Sequence, residues 1–455
     1  MTQTNMTQKE WEERLISIRP SERQLKWQET EFYGFIHFNI NTFTGKQWGD
    51  GTESPLLFNP TDLDVEQWVV TMKEAGMNGV ILTCKHHDGF CLWPSQYTDH
   101  TVASSPWKDG EGDLVKDVSD ACRKHSLKFG VYLSPWDRHE ETYGDSPKYN
   151  QFFVNQLKEL LTNYGEVFSV WFDGACGEGP NGQKQVYDWD WYYGTIRELQ
   201  PDAAISVCGP DVRWCGNEAG ATREQEWSVV PKSLQDAEKI QEASQQTENH
   251  QEFIREVSSA EEDLGSRNVL EKTDTLVWYP AEVNTSIRPS WFYDEREDEQ
   301  VKHTDELFDL YVRTVGGNST FLLNVPPDRR GVFHEKDVST LKDFGQKLKS
   351  AFQTDLTKSA TQTLTNPYSI AIAFDQPTVL NCVVLKEDIT KGQRVESFTI
   401  EAKIEGQWET VYTDYIIGYK KIALLDSIRT QCMRIKIEKS RLTPFIKEIQ
   451  TYYIE

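Results

Sequence analysis

The chain has 455 residues, more than one hydrophobic core ordinarily holds, so a large domain with a smaller companion is the expected division. Its 72 acidic residues outnumber 48 basic ones, and the formal net charge of −24 disfavours nucleic acid and anionic membranes as partners, because phosphate binding needs a positive field. No apolar run is long enough to span a bilayer, and the eight cysteines form no C-x-x-C pair. With a polar stretch over 1–14 and no apolar targeting segment, this composition predicts reduced thiols in a cytoplasmic protein. The 15 Trp, 18 Tyr and 21 Phe suit a cleft that stacks on sugars as well as ordinary core packing.

From residue 32 onward the pattern alternates strand and helix. An apolar run over 32–38 contains His37. Asp64 is placed to cap a helix whose apolar residues (Val65, Trp68, Val69, Met72, Ala75) share one face, and Gly76 ends it. A strand over 79–84 runs into Lys85, His86, His87 and Asp88. A helix over 114–125 leads to a strand over 129–134, followed by Pro135, Trp136, Asp137 and Arg138. A helix over 149–164 delivers the strand at 167–173, and a helix over 189–199 precedes a strand at 203–208. The stretch 231–274 is rich in Gln, Glu and Ser and reads as an inserted, partly helical, solvated excursion. Strands are expected again at 276–283 and 320–325, with helices near 306–315 and 338–352.

Recurring strand–helix units imply parallel pairing, and about eight strands are expected. The polar and aromatic clusters follow the strands rather than preceding them, as they would in a barrel with its site on one rim. Residues 1–352 therefore read as a (β/α)8-like, TIM-type barrel. After residue 353 the texture changes to short β-rich segments at 368–374, 378–385, 397–403, 408–414 and 432–437, which predicts a C-terminal antiparallel β-sandwich.

The stretch around Asp173 carries the most chemistry. A buried strand (Val167, Phe168, Val170, Trp171, Phe172) stops at a carboxylate and a glycine-containing loop. A lone Asp at a strand end is commonly a turn cap. Here its aromatic flanks and strand-tip position favour a functional role, since burial makes its charge costly. The pair His86–His87 has three readings. One is a core and a surface imidazole, and another is a zinc site, which the absence of H-x-x-x-H or cysteine spacing opposes. The third is a polar pocket in which imidazoles hydrogen-bond sugar hydroxyls.

Seven motifs, in order, carry a resemblance: GFIHFN (34–39), NTFT with QWGDG (41–51), KHHDGF (85–90), YLSPWDRH (132–139), WFDGA (171–175), GPDVRW (209–214) and NSTFLLNVP (318–326). Together they resemble glycoside hydrolase family 29, the α-L-fucosidases, and most nearly the subgroup acting on α-1,3/1,4-linked fucose. The resemblance implies a retaining glycosidase with Asp173 as nucleophile and Glu218 as general acid/base. It implies that His37, His86, His87 and Tyr132 hold fucose hydroxyls, and that Trp48, Trp171 and Arg213 line the pocket. Trp214 is the apolar neighbour expected beside Glu218, and Trp291 is a candidate for an outer subsite. Many relatives have Glu where this chain has Gln47; an amide can still bind a hydroxyl but carries no charge. The implied partner is a fucosylated oligosaccharide, with no metal and no cofactor.

The chemistry asks for the same residue types independently. Retaining cleavage needs two carboxyl groups about 5 Å apart, one attacking the anomeric carbon and one protonating the leaving oxygen. Asp173 suits the first role, and Glu218, in a Gly-rich loop beside Trp214, suits the second. Asp211, Glu224 and Glu226 are rivals to Glu218. Two alternatives from other classes stand beside this reading: a non-catalytic glycan-binding protein on the same scaffold, and a metal-dependent hydrolase built on the His pair.

Overall fold

The computed structural model describes residues 6–179, 181–244 and 263–455. Eight parallel strands form the barrel: β1 (Phe32–Ile36), β2 (Gly79–Lys85), β3 (Lys128–Leu133), β4 (Ser169–Phe172), β5 (Ala204–Val207), β6 (Arg213–Trp214), β7 (Ala281–Ser286) and β8 (Thr320–Asn324). Their order is β5-β4-β3-β2-β1-β8-β7-β6, so each strand lies beside its neighbour in sequence and β8 returns to β1. The strands are buried on both faces, which is why they read as continuous apolar runs. Phe35, Ile81, Tyr132 and Leu322 fill the interior, and the outer faces pack under helices. Asp64 caps helix Val65–Glu74 by accepting from the Gln67 amide, and Gly76 follows with φ +91°. Asp113 and Asp188 cap the helices Leu114–Lys124 and Trp189–Leu199 in the same way. Each such cap contributes about 1 kcal/mol.

The barrel closes at β5 and β6 through a single parallel bridge, Ser206 to Val212, with no helix between the two strands. The sequence reading missed β6: two residues carry no periodicity. It also ran 276–283 together. The chain breaks at Pro280, so that Leu276–Trp278 pairs antiparallel with Val229–Pro231 while β7 joins the barrel. Of the expected excursion, residues 245–262 lie outside the described residues; helices Ala237–Ser244 and Arg267–Leu270 flank them. The seam is braced from below. Gln24, on helix Glu22–Gln28, donates to the Asp211 and Trp278 carbonyls at 2.9 Å. The buried Asp211 carboxylate accepts from the Ile205 amide at 2.8 Å and pairs with Arg197, so it is engaged in closing the barrel.

Helix Glu335–Ala351 leads out of the barrel to an antiparallel sandwich of β9 (Ala360–Asn366), β10 (Ser369–Glu387), β11 (Val395–Ile404), β12 (Gln407–Asp414), β13 (Lys421–Ser440) and β14 (Ile446–Tyr452). The segments read separately at 368–374 and 378–385 belong to one long strand, β10. Register shifts against β13 at 373/378 and 380/382 bend it around a core that includes Phe374, Leu380, Phe398 and Ile435. The sandwich grips the barrel through Asn318, which sits at φ +65°. Its amide donates to the Glu226 carbonyl at 2.8 Å and accepts from the Tyr419 amide at 2.7 Å. Gln393 accepts from the Ser228 amide at 3.0 Å. The segment between β6 and β7 is thus tied to both domains.

Candidate active site

The strand ends of the barrel converge on a pocket that is open at its mouth. His37 follows β1, His86 and His87 follow β2, and Tyr132 lies on β3. Trp171 lies on β4 with Asp173 just past it, Trp214 lies on β6, and Glu218 and Trp291 come from the loops after β6 and β7. Trp48, from the loop after β1, lines the pocket as well.

Asp173 is held from two sides. Tyr132 donates its hydroxyl to Oδ2 at 2.9 Å, and the Ala175 amide donates to Oδ1 at 2.9 Å. The carboxylate is partly exposed to the pocket, so both of its oxygens are fixed by protein donors while one side stays open. Trp171 stacks on Tyr132 with ring centroids 5.3 Å apart, and its indole N–H donates to the buried Glu282 at 2.7 Å. Burial pushes the Glu282 carboxyl up to about 7.

The three imidazoles are neutral, and two of them are fixed as acceptors. Asn324 donates its amide N–H groups to Ser286 and to the Trp291 carbonyl, so its Oδ1 must accept from His37 Nδ1–H at 2.8 Å. Ser134 donates to the Trp136 carbonyl and therefore accepts from His87 Nδ1–H at 2.7 Å. Both rings are left with an unprotonated Nε2. His87 Nε2 lies 3.8 Å from Asp173 Oδ2, and with the ring neutral this is no ion pair. His86 Nδ1 is buried and has no hydrogen-bond partner in the protein. The turn that presents the His pair depends on Gly89 at φ +80°, where a Cβ would lie 2.5 Å from Asp137 Oδ1.

Burial drives these shifts: His37 and His87 fall to about 4, and His86 falls well below its usual value. A depressed folded value means that the unfolded chain binds the proton first. Their contribution to stability is therefore present above about pH 6.5 and is lost as pH falls through about 4. Asp88 and Glu282, both raised to about 7 by burial, act in the opposite sense. Their contribution is fully present below the ordinary carboxylate range and is lost as pH rises through 7, so global stability is a poor readout. Imidazole NMR should instead show the His37 and His87 rings neutral from pH 8 to 5. A pocket histidine titrating near 6.5 would contradict this arrangement.

Glu218 accepts from the Trp291 indole N–H at 3.3 Å. Its loop is knitted by the buried Asn217, whose Oδ1 accepts from the Ala219 and Ala221 amides. Of the rivals, Asp211 closes the barrel, Glu224 is exposed, and Glu226 is buried between Arg213 and Arg223. Those guanidinium groups hold the Glu226 carboxyl below its ordinary value despite its burial. Arg213 does not line the pocket as expected; its guanidinium turns to Glu226 at 2.6 Å and to the Trp227 carbonyl. Gln47 is likewise absent from the lining. Its side-chain oxygen accepts from the Trp291 and Phe292 amides at 3.0 and 3.1 Å. Asn284 also lines the pocket, while Asn217 and Asn324 hold lining residues in place; of the three, Asn324, a polar residue at a barrel strand end, carries a signal in the sequence. Among the described residues, no group of three or more His, Cys, Asp or Glu side chains is placed to hold a metal ion, and no helix is long and apolar enough to cross a membrane.

The α-L-fucosidase family model matches residues 2–351. The chain belongs to the α-L-fucosidase family, glycoside hydrolase family 29. It is 36% identical to α-L-fucosidase 1 of Arabidopsis thaliana, over 95% of this chain and 87% of the plant protein. It superimposes with a TM-score of 0.90 on a crystal structure of a candidate α-L-fucosidase from Bacteroides ovatus ATCC 8483. That match is 48% identical and covers 99% of this chain and 77% of the other. A Ruminococcus gnavus family 29 fucosidase in complex with fucose matches with a TM-score of 0.80 at 28% identity, over 96% and 95% of the two chains. This fucosidase is a glycoside hydrolase, and the binding-only alternative is not favoured.

Proposed function

We propose that this family 29 fucosidase is a retaining exo-enzyme that releases α-1,3/1,4-linked fucose from branched, Lewis-type oligosaccharides. The observation that carries the mechanism is the pair of unlike carboxylates lining one pocket: Asp173 with two donors, and Glu218 beneath a tryptophan on another loop. In the first step Asp173 attacks the anomeric carbon. The bond to the leaving oxygen breaks, that oxygen takes the Glu218 proton, and a β-fucosyl ester results. In the second step Glu218 takes a proton from water, which attacks the same carbon, expels Asp173 and restores the α configuration. The Nε2 atoms of His37 and His87 accept hydroxyl protons from the bound sugar, and His86 Nδ1 meets a third polar group.

Linkage preference is supported by the likeness of the motif set to the α-1,3/1,4 subgroup. A branched acceptor also offers remote contacts, beyond the fucose itself, that can be used to lower the barrier. Hydrolysis of a panel of fucosylated oligosaccharides should be faster for branched α-1,3/1,4 linkages than for linear α-1,2 ones, with α-fucose as the first product seen by NMR. Equal rates would refute the linkage proposal, and β-fucose as first product would refute retention.

A further inference from the structure

We propose that Gln47 is a positioning residue for the general acid, a role that rests on the assignment of Glu218 above. Trp291 is held at each of its three polar atoms. Its N–H donates to Gln47 Oε1 at 3.0 Å, its carbonyl accepts from Asn324 at 2.8 Å, and its indole N–H reaches Glu218 at 3.3 Å. The same Gln47 oxygen takes the amide of the fully buried Phe292 at 3.1 Å. The ring of Phe292 stands edge-on to His37 and His86, with centroids 5.3 and 5.1 Å away. One side-chain oxygen from the loop after β1 thus fixes the tryptophan that contacts the acid and the wall behind two imidazoles.

Removing that oxygen leaves two N–H donors without their acceptor, one of them buried, so the segment must shift to recover partners. The shift moves the Trp291 indole relative to Glu218. Gln47 is not among the residues lining the pocket, so the loss should be specific to the step that uses the acid.

The test compares two substrates in the full-length enzyme. One is a fucosylated oligosaccharide, whose sugar leaving group needs protonation; the other is an aryl fucoside with a good leaving group, which needs little. Gln47→Leu should lower kcat on the oligosaccharide about ten- to a hundredfold, with a much smaller change on the aryl fucoside. Gln47→Glu keeps an oxygen acceptor for both amides and should restore the wild-type ratio. If Gln47→Leu does not fold, Gln47→Asn, one methylene too short to serve both amides, is read in the same way. Equal loss on the two substrates, or no loss on either, would overturn the proposal. Glu218→Gln, measured in parallel, should show the same leaving-group selectivity. If it shows none, the assignment of Glu218 has failed and this proposal fails with it; if it does and Gln47→Leu does not, only the role of Gln47 is lost.

Discussion

Replacing Asp173 by Gly should lower kcat on the order of 10⁴–10⁶-fold, the scale seen when a nucleophile or its partner is deleted. Removal of the carboxylate leaves the rest of the pocket standing. Tyr132 still stacks between Trp171 and His86, and His37 and His87 keep their orienting partners, Asn324 and Ser134. Glu218, on a separate loop, can still protonate the leaving oxygen. A small anion such as azide can then enter the space vacated on the nucleophile's side and attack the anomeric carbon as the leaving group departs. One displacement inverts, so the product should be the β-fucosyl azide, identifiable by NMR. Activity within about tenfold of the wild type, or an α-azide product, would remove Asp173 from the nucleophile's role.

Glu218→Ala should have the next largest effect, and a selective one. General acid assistance contributes about 10²–10⁴-fold when the leaving group is poor. Oligosaccharide hydrolysis should therefore fall by that order, while ester formation from an activated aryl fucoside is largely spared. Without a base to activate water, the ester should accumulate, giving a burst of released aryl group. Azide should rescue turnover by attacking the ester, and this second inversion yields the α-fucosyl azide. Opposite anomers from the two variants would distinguish the carboxylates without reference to a distance. Near-full activity of Glu218→Ala on oligosaccharides would contradict the assignment. None of the rivals is well placed to substitute: Asp211 is occupied at the barrel seam, Glu226 lies in a buried ion cluster, and Glu224 is exposed outside the pocket lining.

The barrel was legible because its strands are buried on both faces and its helices carry one apolar stripe between clear caps, as at Asp64 and Gly76. Where those signals fail, so did the reading. The strand at Arg213–Trp214 is two residues long and follows a turn without a helix. Pro280 hides a change of partner within what looks like one run. Residues at strand tips were found by position, since the chain direction at the end of a barrel strand determines where they lie. Orientation was not legible. Arg213 and Gln47 sit beside pocket residues in sequence, yet each is drawn elsewhere: Arg213 by a buried carboxylate, and Gln47 by two backbone amides. Such partners come from residues 13 and 244 or more positions away, and no local pattern announces them.

The ties through Asn318, Gln393 and Tyr419 bear on any attempt to trim or recombine this enzyme. A shortened gene encoding only the barrel would strip partners from Asn318 and Ser228, the residues that steady the end of the stretch carrying Glu218. Chimeras that exchange C-terminal modules between relatives meet the same constraint. The graft must bring its own counterparts of Gln393 and Tyr419, matched to the host's Asn318, or the acid's loop loses its outer anchor. The natural junction for such engineering is therefore a set of side-chain contacts scattered across the sequence, and the linker after residue 352 is the wrong place to cut.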